Sequence, residues 1–306
     1  MIVNFPTYNE LEEMAICTLT EAFCIAYKVY SDSNKIRSWK EDFFKHRQKT
    51  LCASFMLYYE SIEYFMKSAI TKVTPLLLLN VERNKWGSNP NNSTNKDFNE
   101  FYIISGEDLI NTYFALPKEI LNINNLTEKK YTKNIQKIYN FMDNMRIKRN
   151  KIVHSVFTED LTSDYIIKNI LQIYLHFCGQ DIWWEIIKDY FYSDPDIYYM
   201  QMEDFDVKAR LIQKLDYIET ILGKIQLRQY FSYTGRKYCC PECSSVYNEL
   251  NIESKWAFLH PNKPNSKKIH CLICGEDFEI HRIKCSKPGC KGNVIYENVC
   301  LTCLYE

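Results

Sequence analysis

Apolar residues recur every three to four positions through most of the chain up to about Tyr230, with few glycines among them. That period predicts helices. The first starts near Asn9, carries Glu12 and Glu13 in its first turn and ends near Tyr30. Ser31-Asp32-Ser33-Asn34 then reads as a loop. Ser38 caps a second helix along Phe44, Leu51, Phe55, Tyr58, Ile62, Phe65 and Ile70, which Pro75 stops. Trp86 to Asn99 is polar, with Gly87 and Pro90, and reads as an exposed loop. Ser105 with Asp108 resembles a capping box for a short helix ending before Pro117. Thr127 opens a long helix through Ile135, Ile138, Phe141, Met145 and Ile152. Thr162 opens another through Ile166, Ile170, Ile173, Phe177, Trp183 and Ile187, broken at Gly179. After a turn at Ser193-Asp194-Pro195-Asp196, a last helix runs from about Met202 to Tyr230 through Leu211, Leu215, Ile218 and Leu222. Long helices joined by short loops favour an antiparallel bundle.

From Arg236 the helical period fades, and cysteine, glycine and proline rise. The expected fold is therefore mainly α: a helical bundle followed by a small zinc-stabilised ribbon with short β-strands. The expected domains are an N-terminal helix packing on the bundle over 1–37, the bundle over 38–232 and the cysteine region over 236–306.

Nine of the thirteen cysteines crowd between Cys239 and Cys303. Cys240-Pro241-Glu242-Cys243 and Cys271-Leu272-Ile273-Cys274-Gly275 are two knuckles with 27 residues between them. Cys285 with Cys290 and Cys300 with Cys303 form a second set. Thiolate pairs at this spacing bind zinc tetrahedrally, and eight thiols suffice for two closed, structural ions per chain. Sequential pairing is the first expectation and an interleaved cross-brace the second. Cys239, His260, His270 and His281 are substitute ligands. Cys17, Cys24, Cys52 and Cys178 stand alone in apolar segments and read as small core hydrophobes.

Net formal charge is zero, so nucleic acid would have to be met by a local patch rather than a global field. Lys263, Lys267, Lys268, Arg282, Lys284, Lys287 and Lys291, with Trp256, Phe258 and Phe278, are candidates for one, though Glu276, Asp277 and Glu279 interrupt them. Acidic residues stand where a secretion signal would be basic, and no apolar run reaches a membrane span. A cytoplasmic protein without membrane contact is expected. No glycine-rich phosphate loop or paired-acid metal site is present.

The chemistry-bearing stretch is Arg149-Asn150-Lys151-Ile152-Val153-His154, near the end of the long helix that Thr127 opens. Asn150 and His154 share a helix face, whereas Arg149 is turned from Asn150 by about 100°. Arginine clamps a phosphate with paired hydrogen bonds, and histidine carries protons near neutrality. Such groups suffice for metal-free RNA cleavage, in which the ribose 2′-hydroxyl attacks its own phosphate. One histidine cannot easily serve both sides of an in-line displacement, so a symmetric pair of chains follows from the chemistry. The competing reading is a basic last helical turn favoured by the helix dipole.

An arginine, an adjacent polar residue and a histidine after four intervening positions, on a helical bundle, resemble the ribonuclease members of the HEPN superfamily. The resemblance covers about residues 38–230, and only Arg149, Asn150 and His154 in it are specific. It implies a homodimeric, metal-independent endoribonuclease with a composite site between protomers, acting on RNA as a toxin or antiviral-defence effector. An inhibitory or sensing protein partner would restrain it. The alternative is a non-catalytic dimerisation module whose zinc region binds nucleic acid or protein. A third reading is a zinc-dependent DNA-binding regulator.

Overall fold

The computed structural model describes residues 2–36, 38–80, 96–121, 128–154, 160–193, 204–233, 235–244, 246 and 255–304. Its contacts divide the chain into two compact units, Met1–Ile173 and Tyr174–Glu306. Composition changes near Arg236, but packing changes earlier, within a helix.

The first unit is built on a pair of long helices, α1 (Tyr8–Asn34) and α2 (Lys40–Val73). Thr7 and Glu10 form a capping box at the start of α1, each satisfying a backbone N–H that the helix leaves free. The helices run antiparallel: Ser68 Oγ donates to the Tyr8 carbonyl at 2.9 Å and Lys72 meets Glu12 at 3.0 Å, while Ser54 Oγ donates to the Ala22 carbonyl at 2.7 Å. The serines allow close approach, and Phe23, Leu51, Phe55, Tyr58 and Ile62 fill the seam, fully buried.

Ser31–Asn34 belong to α1 rather than to a loop. The Ser33 hydroxyl donates to the Tyr30 carbonyl, so the polar run satisfies itself without leaving the helix. The cap of α2 is Trp39 in a left-handed conformation (φ 68°), not Ser38, and it makes no side-chain cap bond.

A 3-10 turn over Pro75–Leu78 follows, capped by Thr74. The first strand, β1 (Ile2–Val3), pairs in parallel with β2 (Lys96–Asp97), so the N-terminus is tied to the end of the polar stretch. Residues 86–95 of the expected 86–99 loop lie outside the described residues, and its end is not exposed loop: Phe98–Glu100 form a 3-10 turn that buries Phe98. Next come α3 (Gly106–Phe114), α4 (Glu128–His154) and α5 (Ser163–Phe177). Ser105 precedes α3 without the expected side-chain cap bond, whereas Thr162 Oγ1 does accept from Tyr165 N–H at the start of α5. The Thr127 cap lies outside the described residues. The side-chain amide of Gln48 in α2 exchanges two hydrogen bonds with the backbone of Leu161, at 2.9 and 3.0 Å, and fixes the entry to α5. Met142 and Met145 bury one stripe of α4.

The second unit holds α6 (Ile182–Ser193), α7 (Asp204–Tyr230) and the cysteine region. Gly179, with φ 94°, separates α5 from α6, as expected. Residues 194–196 of the expected turn, and Met202, lie outside the described residues. Trp183 and Trp184 are both fully buried in the core. The Trp183 indole donates to the Tyr230 carbonyl at 2.9 Å and that of Trp184 to the Leu272 carbonyl at 2.5 Å. Each large ring thereby buries its surface and keeps its N–H satisfied. In the cysteine region β3 (Ala257–His260), β4 (Lys268–Cys271) and β5 (Asp277–Glu279) form an antiparallel sheet in that order. A separate hairpin joins β6 (Ile295–Tyr296) to β7 (Val299–Cys300).

Burial pushes the His176 imidazole down to about 4. Between there and the ordinary value near 6.5 the unfolded chain binds a proton the folded chain refuses, so stability falls as pH drops. His176 therefore leaves stability unperturbed above about pH 6.5 and lowers it as pH falls toward 4. Urea midpoints at pH 7 and pH 5 should differ less in His176→Phe than in the parent chain.

Candidate functional site

Two sets of side chains carry chemistry: the Arg149–His154 stretch of α4 and the clustered thiols.

Arg149 is half-buried on the side of α4 that meets α2. Its guanidinium carbon sits 5.9 Å from the centre of the Tyr59 ring, and Nη1 donates to Asn150 Oδ1 at 3.1 Å. Its Nε is buried with no hydrogen-bond partner among the described residues. A buried donor without an acceptor costs about 1–3 kcal/mol. The neighbouring cations are engaged. Arg146 pairs with Asp143 at 2.7 Å and Glu107 at 3.8 Å, and the Lys148 ammonium lies 4.3 Å from the Tyr165 ring centre. Glu63 meets Lys67 at 3.5 Å and the Tyr59 hydroxyl, so it does not pair with the basic stretch. Burial, then Glu63, holds the Tyr59 phenol well above its usual range against the pull of Arg149 and Arg146, so it is a neutral hydrogen-bonding group. His154 is exposed at the last position of α4, one turn beyond Asn150 on the same stripe. Arg149 and Asn150 are thus in contact, while His154 stands open to solvent.

The eight paired cysteines gather into two groups, Cys240, Cys243, Cys271 and Cys274, and Cys285, Cys290, Cys300 and Cys303. Within each, all sulfurs lie within 4.8 Å of one another. The grouping is sequential; no cross-brace forms. Sulfur separations of 3.7 Å (Cys240–Cys274), 3.9 Å (Cys243–Cys271) and 3.7 Å (Cys285–Cys303) fit the dimensions of a tetrahedral ion. Metal–sulfur bonds of about 2.3 Å would set them roughly 3.8 Å apart. Backbone N–H groups are aimed at the sulfurs: Ile273 at Cys271, Lys287 at Cys285 and Gly292 at Cys290, at 3.3–3.4 Å. Burial raises the Cys271 thiol strongly, so its thiolate needs a cation. Four sulfurs complete each tetrahedron and leave no open position for catalysis.

None of the four substitute ligands joins either group. His270 Nδ1 meets Asp277 at 2.9 Å, and the His260 ring lies against Tyr233. Cys239 is buried outside both groups and His281 joins neither. Cys17 is exposed, and Cys24, Cys52 and Cys178 are half-buried, so these four are not the core residues expected. Gly275 (φ 78°) makes the sharp turn after Cys274. Gly292 has a different reason: a Cβ there would stand 2.8 Å from Cys300 Sγ and 2.8 Å from Thr302 Cβ. Gly292→Ala should distort the second group and lower bound metal from two equivalents toward one, measured by metal release on thiol modification.

Two of the three expected stacking aromatics are core. Trp256 is fully buried, its indole donating to Asp216 of α7 at 2.8 Å, and Phe258 is buried beside it. Phe278 packs edge-on against Tyr296. Lys263, Lys267, Lys268, Lys284, Lys287 and Lys291 are exposed, but Arg282 is partly buried. What the sequence did not reveal is the tie to α7. Lys237 lies 3.2 Å from the Trp256 ring centre and pairs with Glu219 at 2.8 Å.

No helix among the described residues is long and apolar enough to cross a membrane. No family model, no curated protein and no solved structure matches the chain.

Proposed function

We propose that the chain is a metal-independent endoribonuclease of HEPN type that carries two structural zinc ions. The observation behind this reading is the setting of Arg149. Its guanidinium is held against Tyr59 and by Asn150, one donor lacks an acceptor, and an exposed histidine follows on the same helix. A fixed cation suits the charge that builds on phosphorus when a 2′-hydroxyl attacks. His154 exchanges protons with that hydroxyl or with the leaving 5′-oxygen. Asn150 orients Arg149. Two chains related by a two-fold axis supply both histidines, so the active species is a homodimer. Zinc, held by four thiolates in each group, supplies folding energy rather than chemistry. Action on cellular RNA makes the protein a toxin or defence effector, restrained by a partner.

Expression in a bacterial host should arrest growth, and His154→Ala should relieve the arrest. Equal arrest by both chains would remove this function.

A second reading has its own support. Asn150 and Tyr59 would hold Arg149 in the same way if the bundle were only a dimerisation or binding module. In that case Arg149→Ala leaves RNA or partner binding intact, while Cys271→Ser destroys it.

A further inference from the structure

A cleft of about 350 Å³ lies in the second unit, between the end of α7 and the first strand of the cysteine region. None of its lining residues belongs to α4. Leu227, Phe231 and Phe258, all buried, form an apolar floor, and half-buried Tyr233 stands at its edge. The rim is cationic: Lys224, Arg228, Arg236 and Lys237 line it, with Glu219 as the acidic counterpart.

Glu219 is spent on Lys237, 2.8 Å away, beneath which lies the Trp256 ring. Burial lowers the Lys237 pKa, and the Lys224 charge pushes the same way. Lys224, Arg228 and Arg236 are exposed, and no side-chain ion pair neutralises them among the described residues. Three cations thus converge on one concave surface of a chain whose net charge is zero. Gly223 makes the convergence possible. Its φ of 70° and ψ of 162° break the helical path of α7 immediately before Lys224 and re-aim the segment that carries Lys224 and Arg228. Tyr233 is braced from behind, its ring stacked on His270 at 5.0 Å with an interplanar angle of 12°.

We infer that this cleft binds a nucleotide unit, its phosphate on Lys224, Arg228 and Arg236 and its base against Tyr233 and the apolar floor. An aromatic floor under a cationic rim matches the two chemistries of a nucleotide, and the volume is at the lower end of small-molecule sites. The unit is either a free nucleoside phosphate or one residue of a single strand. Nothing in the inference depends on Arg149 or His154. It also differs from the exposed lysines of residues 263–291, which lie outside the cleft.

The test is calorimetric titration of the full chain, zinc-loaded, at low salt. The probes are adenosine monophosphate, a non-cleavable 2′-O-methyl oligoadenylate and inorganic phosphate. At least one of the first two should bind, and more tightly than phosphate. The triple variant Lys224→Gln, Arg228→Gln, Arg236→Gln should weaken that binding roughly tenfold or more and flatten its salt dependence. All three side chains are exposed, so the variant should keep its circular dichroism and metal content. Binding of the monophosphate identifies a free-nucleotide site, and binding of the oligomer alone a strand site; either supports the inference. No binding of either, binding no tighter than phosphate, or unchanged affinity in the triple variant overturns it. His154→Ala should leave the monophosphate titration unchanged while removing RNA cleavage, so the two readings fail separately.

Discussion

Replacing Cys271 with serine should remove one of two bound metal equivalents and unfold the second unit, not only its knuckle. Cys271 is buried at the end of β4, 3.9 Å from Cys243, and its sulfur takes a backbone N–H from Ile273. A structural zinc site contributes an apparent 10–16 kcal/mol or so near neutral pH. That is comparable to the whole stability of an ordinary domain, about 5–15 kcal/mol. The loss spreads because the first group is tied to the helices. Leu272 accepts the Trp184 indole, Trp256 donates to Asp216, and Lys208 of α7 pairs with Glu242 inside the first knuckle at 3.1 Å. Cys290→Ser should release one equivalent too, with a more local effect around the β6–β7 hairpin. Metal stoichiometry and far-ultraviolet circular dichroism separate the outcomes. Two equivalents retained and an unchanged thermal transition in Cys271→Ser would contradict the account.

This reach into α6 and α7 is where the sequence was least legible. The knuckles could be read because a metal couples residues three to five apart, and local spacing carries that information. The grouping of α6 and α7 with the cysteine region rests on Trp184–Leu272, 88 residues apart, and Trp256–Asp216, 40 apart. No period or spacing encodes such pairs. The cores of α2 and α5 were legible because Phe55, Ile62, Ile166 and Ile170 repeat with the helix and are buried. Helix ends were less so. Ser31–Asn34 look like a loop by composition, yet the helix continues through them, and the Trp39 cap is left-handed without any residue type that favours it. At the candidate site, spacing put Asn150 and His154 on one stripe. The ring of Tyr59 beneath Arg149 comes from another helix and was invisible until α2 and α4 were packed.

The second large effect is expected at that pair. If Arg149 stabilises the phosphorane charge and His154 moves the proton, His154→Ala should lower RNA cleavage about 10²–10⁴-fold, the usual worth of a positioned acid or base. Arg149→Ala should do comparable damage, and Arg149→Lys should not restore activity, because an ammonium cannot reproduce the planar fork. Tyr59→Phe keeps the ring under the guanidinium and should cost little; Tyr59→Ala removes that support and should cost more. Fold is not the cause in His154→Ala: the side chain is exposed at a helix end, and its loss should leave melting temperature and metal content unchanged.

Arg149 and His154 are proposed to cut RNA without a catalytic metal. The measurement closest to it is cleavage of an end-labelled RNA by the metal-loaded chain in buffer free of added divalent ions, beside His154→Ala of equal metal content. Products ending in 2′,3′-cyclic phosphate are expected from the parent chain, with at least about a hundredfold less from the variant. Equal cleavage by the two chains, or no cleavage by a folded, dimeric parent chain, would contradict it.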